Sequence, residues 1–133
     1  MVRSVIAVVV GYAVLAAATM AKFAAMQALF PWALPAPGED VFSSTFWLVT
    51  ILLSDVALMI VAGYVTAAVA RHAEVGHTVA LGGVMVVLGL VSMFVNWLQG
   101  PLWYQVVLVS IAVPAAVTGG SLRSQQRADQ TWG

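Results

Sequence analysis

Residues 46–70 form an unbroken apolar run of 25 positions in which the only charge is Asp55. At about 1.5 Å per residue, a helix of that length exceeds the ~30 Å hydrocarbon thickness of a bilayer. A carboxylate inside hydrocarbon costs roughly 2.5–3.5 kcal/mol on insertion scales, so Asp55 needs a partner or a purpose. What meets it decides how the other segments pack.

Three further runs qualify as spans. Residues 5–30 are apolar apart from Lys22, residues 78–98 hold no charge, and residues 102–122 hold none either. The first run continues well past the 7–15 apolar residues of a signal peptide, so it reads as a retained helix. Between spans 1 and 2, PWALPAPGED stops the helix with three prolines and a glycine, ending on Glu39 and Asp40. Ser43, Ser44 or Thr45 then offers a cap. Span 2 closes at Arg71 before the polar turn HAEVGH, and Gln99-Gly100-Pro101 separates spans 3 and 4. Pro114 is expected to bend span 4. The expectation is an all-α, four-helix transmembrane bundle over 1–122, with spans at about 5–30, 46–70, 78–98 and 102–122, followed by a frayed polar cytoplasmic tail, 123–133.

Composition narrows the function classes. Hydrophobic residues make up 62% of the chain and charged ones 8%, against about 25% charged in soluble domains, so water is the wrong solvent for this surface. A formal net charge of zero argues against a nucleic-acid partner. Without cysteine there is no disulfide framework and no thiolate metal site. The chain is expected to work in or at the membrane, with no domain of its own outside it.

Arginine placement sets an orientation. Arg3, Arg71, Arg123 and Arg127 lie at the N-terminus, in the second loop and in the tail, while the first and third loops hold no Lys or Arg. The positive-inside rule then puts both termini in the cytoplasm, N-in and C-in, for a multi-pass protein of a bacterial inner membrane. Trp32, Trp47, Trp97, Trp103 and Tyr104 all fall at the opposite ends of the spans, with Phe30, Phe42, Phe46 and Phe94 nearby. Such an outer aromatic rim anchors headgroups, or offers a docking face to a partner subunit or an amphipathic ligand.

Depth links the two intramembrane charges. Lys22 lies about 12 Å below the outer end of span 1 and Asp55 about 16 Å below that of span 2. On antiparallel neighbours joined by a short loop, an ion pair is the natural inference. Lysine could instead snorkel outward, leaving Asp55 to protonate or to find Thr50, Ser54, Asn96 or Gln27. A proton- or ion-coupling site centred on Asp55 is the functional alternative to a structural pair.

Small residues suggest the packing faces. Gly82, Gly89 and Asn96 recur every seven residues on span 3, Gly11, Ala18 and Ala25 do so on span 1, and Asp55, Ala62 and Thr66 share a face of span 2. These three stripes are expected to form a tight interior. GYAVLAAA at 11–18 echoes GYVTAAVA at 63–70, at similar depth on antiparallel helices, which points to close backbone approach.

No cofactor is called for. His72 and His77, with Glu74, are the candidate metal ligands, but their spacing fits no standard motif. Ser110 and Ser121 have no base in reach, and no nucleophile–base set, phosphate-cradling loop or zincin helix is present.

The segment VAGYVTAAVA before Arg71, with PLWYQVVLVSIAVPAAVTGGSLR at 101–123, resembles a recurring type of small four-span bacterial membrane protein. The resemblance covers most of the chain, and its motifs are packing and interface residues, so it implies a fold and no activity. The chain is similar in size to the small multidrug-resistance transporters but lacks their glutamate in the middle of the first helix. It is also similar in length to the small fluoride channels, which VFSSTF at 41–46 resembles, but their arginine-bearing glycine motif is missing. The resulting expectation is a non-enzymatic accessory or assembly subunit, or a self-associating bundle, whose partners are the lipid bilayer and a membrane protein or further copies of itself. The alternative is a small oligomeric ion- or proton-coupled transporter or channel using Asp55.

Overall fold

The computed structural model describes residues 2–34, 44–70, 74–95 and 101–131, with the backbone alone for residues 2, 3 and 74. Four helices account for almost all of it: α1 (Val2–Leu29), α2 (Thr45–Ala70), α3 (Glu74–Val95) and α4 (Leu102–Thr131). Each is long and apolar enough to cross a bilayer, the architecture of a multi-pass membrane protein. Local chemistry sets their ends. α1 gives way at Phe30 to a 3-10 turn, Pro31–Ala33, where proline has no N–H to continue the helix. α2 opens on the carbonyl of Ser44, which accepts from the N–H groups of Trp47 (3.1 Å) and Leu48 (3.2 Å). The Pro101 carbonyl receives the N–H of Tyr104 at 3.1 Å as α4 begins.

Several serine and threonine hydroxyls inside the spans are satisfied within their own helices, as hydrocarbon demands. Thr66 donates to the Ala62 carbonyl (2.9 Å), Ser110 to Val106 (2.7 Å) and Thr118 to Pro114 (2.7 Å).

The helices form a ring in the order α1, α2, α4, α3, in which α3 also touches α2. α1 and α3 meet only lightly, and α1 is the least buried of the four. α2 and α4 run parallel: Asp55 meets Tyr104 near one end of the bundle, and Tyr64 meets Gln126 near the other. The first is called here the tryptophan end, and the second, where α1 starts and α4 finishes, the terminal end.

Glycines set the spacing. A Cβ on Gly63 would fall within 2.9 Å of Ala116 Cα, and one on Gly119 would strike the Ile60 carbonyl, so α2 and α4 meet backbone to backbone. Gly82 and Gly89 face Val113 and Val109 of α4, Gly120 faces Thr78 of α3, and Gly11 faces Thr66 and Ala62 of α2. The core between them holds Met59, Ala62, Leu81, Met85, Ala112, Ala115 and Ala116.

Three features differ from the sequence reading. The stripes on α1, α2 and α3 do not share one interior: α4, with Ala112, Ala115, Ala116, Gly119 and Gly120 buried, is the element on which α2 and α3 close. Ala25 is exposed, so the α1 stripe drifts off its contact face. The segment 123–131 is helical rather than frayed. Arg123 lies 5.8 Å from the centre of the Tyr64 ring, and the Tyr64 hydroxyl donates to Gln126 Oε1 at 2.7 Å, so Tyr64 of α2 holds the extension in register.

Candidate functional site

Lys22 sits seven residues before the end of α1 and Asp55 ten residues after the start of α2, about 10 and 15 Å from those helix ends. The four-carbon lysine stem spans the difference. Lys22 Nζ donates to Asp55 Oδ1, and the two side chains are each only 14% exposed. The ammonium also lies 4.9 Å from the centre of the Phe23 ring, a cation–π contact on its own helix.

The second carboxylate oxygen is occupied too. Tyr104, in the first turn of α4, donates its hydroxyl to Asp55 Oδ2 at 3.1 Å. The carboxylate thus joins three helices, with an ammonium on one oxygen and a phenol on the other. One positive and one negative charge leave the cluster neutral, which suits it to hydrocarbon. Toward the tryptophan end, the face of α2 above Asp55 is packed: Ile51, four residues earlier, is 2% exposed, and Leu48, seven earlier, is buried. Ala33, on the 3-10 turn after α1, is buried as well.

Among the described residues, the other hydroxyl candidates turn away from Asp55. Thr50 donates to the Phe46 carbonyl (2.9 Å) and Ser54 to the Ile51 carbonyl (2.7 Å), each back onto its own helix. Gln27 is exposed on α1. Asn96 lies outside the described residues, as do Trp97 and His72. Next to Tyr104, Gln105 Oε1 is buried without a hydrogen-bond donor.

The aromatic residues divide. Phe30 sits 5.7 Å from both Trp32 and Trp47, and Phe46 packs edge-on to Trp47 at 5.6 Å, so the end of α1 and the start of α2 share one ring cluster. Trp32 and Trp103 are exposed and suited to headgroups. Tyr104 packs at 85° to Trp103 but aims its hydroxyl inward. Its place among the rim rings does not foretell the bond to Asp55, because an interfacial ring and an inward phenol have the same sequence signature. The sequence offers only a partial signal: of the three tyrosines, Tyr104 alone lies toward the tryptophan end, the end nearer to Asp55.

At the terminal end, His77 lines a groove between α1 and α3. Among the described residues, no three of His, Cys, Asp and Glu gather in one place.

Chemically, the site is a carboxylate with both oxygens engaged by side chains of two other helices. Set against protein-family models, curated proteins and solved structures, the chain finds no match in any of the three.

Proposed function

We propose that this chain is a non-enzymatic helical subunit of a larger complex in a bacterial inner membrane, with both termini in the cytoplasm, and that Lys22, Asp55 and Tyr104 form its internal clamp. The observation that carries this reading is the double engagement of Asp55: Lys22 on one oxygen and Tyr104 on the other tie α1, α2 and α4 together. A carboxylate so occupied fastens helices and leaves no free oxygen for a passing ion. The concentration of arginines at the terminal end supports the orientation. Weak burial of α1 and the exposed rings at the tryptophan end leave surface for a partner subunit. Extraction in a mild detergent should co-purify the chain with larger membrane proteins, whereas recovery as a lone, single-copy band would contradict the proposal.

The second reading makes Asp55 the titrating group of a small oligomeric transporter or channel, with Lys22 as counter-charge. It is favoured by one observation, that the carboxylate lies at membrane depth between two proton-bearing groups.

A further inference from the structure

The light contact between α1 and α3 leaves a groove of about 740 Å³ at the terminal end. Its walls are Val5, Val9 and Ala13 of α1 and Ala80 and Val84 of α3, with Ser4, Tyr12 and His77 as its polar lining residues. We propose that this groove is a binding site for one anionic glycerophospholipid of the leaflet at the terminal end, with its acyl tails between α1 and α3 and its headgroup beside Ser4 and His77.

Three observations fix the occupant. The first is length. Residues 4–13 of α1 and 76–84 of α3 each cover roughly 12–14 Å of helix axis, close to the ~15 Å of one leaflet's hydrocarbon. The groove therefore runs from one interface to the midplane and stops, as a lipid tail does. The second is volume. Two extended tails, each some 4–5 Å wide at van der Waals contact, take roughly 500 Å³ and fit.

Charge is the third. Ser4 and His77 stand at the mouth, in the first turns of α1 and α3, and Arg3 immediately precedes Ser4 in the helix. Over the whole terminal end the sequence sets Arg3, Arg71, Arg123 and Arg127 against Glu74 and Asp129, an excess of positive charge that complements an anionic headgroup. Beside the mouth, a side chain on Gly76 would meet open space, so the first turn of α3 is unobstructed.

The test reconstitutes the purified chain in equimolar phosphatidylglycerol and phosphatidylcholine vesicles, re-extracts it in neutral detergent, and counts retained lipid by native mass spectrometry. Wild type should keep one phospholipid, with phosphatidylglycerol favoured about fivefold, the scale of one cation near an anionic headgroup. Ala80→Trp fills the groove and should cut retention about tenfold, while Val61→Trp, on the exposed face of α2, retains lipid as wild type does. Should Ala80→Trp fail to fold, Ala13→Phe on the opposite wall carries the same expectation. Retention unchanged by filling the groove, or no preference for the anionic lipid in wild type, would overturn the proposal.

Discussion

Asp55 is the residue on which the membrane interior depends, because it brings a full charge into hydrocarbon and spends it on two other helices. Its two partners are unequal. Lys22 neutralises the charge, whereas Tyr104 adds one hydrogen bond at 3.1 Å. Tyr104→Phe keeps the ring and removes only that donor, so thermal unfolding in detergent should show a loss of about 1 kcal/mol, typical of an interhelical hydrogen bond in a membrane. Lys22→Met should cost more, about 2–3 kcal/mol, because it leaves the carboxylate without its counter-charge. Equal effects of the two variants would show that the ammonium contributes nothing beyond its hydrogen bond. At this scale much was legible in the sequence: counting residues from the span ends placed Lys22 and Asp55 at matching depth, and the structure brings them together. Tyr104 was not, since depth alone does not reveal which way an interfacial ring turns.

Among the elements, α4 carries the packing that the sequence reading gave to the first three spans. Its run of Ala112, Ala115, Ala116, Gly119 and Gly120 lets α2 and α3 approach to backbone distance. Gly63→Ala should therefore destabilise the bundle by about 1–3 kcal/mol, since the new methyl meets the Ala116 backbone, which has little room to yield. Gly83→Ala, where the same methyl meets open space, should stay within about 1 kcal/mol of wild type in the same unfolding assay. The seven-residue glycine spacing on α3 did mark a close-packing face. It did not name the partner, because every apolar helix in the chain offers small residues at similar spacing. The helical extension to Thr131 was missed for a related reason. Gly119-Gly120 followed by a polar segment reads as a helix end until those glycines are seen to serve as contact points for α2 and α3, with Tyr64 holding the turns beyond them.

For the molecule as a whole, closure is uneven. α1 is fastened to α2 at three levels: the Phe30–Trp47 ring contact, the Lys22–Asp55 pair, and the seat of Gly11 on Thr66. Its contact with α3 is slight, and that open seam is the groove at the terminal end. The hydropathy pattern foretold four helices, but the order of the ring and the gap in it depend on side-chain volumes meeting across more than 50 residues of sequence, as at Gly63 and Ala116. Removing the clamp should loosen α1 first, since no other polar side chain described on α1 bonds to α2.

A double-mutant cycle on thermal unfolding in detergent, with Lys22→Met, Asp55→Asn and the two combined, tests the clamp most directly. The account predicts that each single change lowers stability and that the pair together costs about 1–2 kcal/mol less than the sum of the two, the mark of groups in direct contact. Additive losses, or an Asp55→Asn protein as stable as wild type, would contradict it and turn attention to a carboxylate kept for proton coupling.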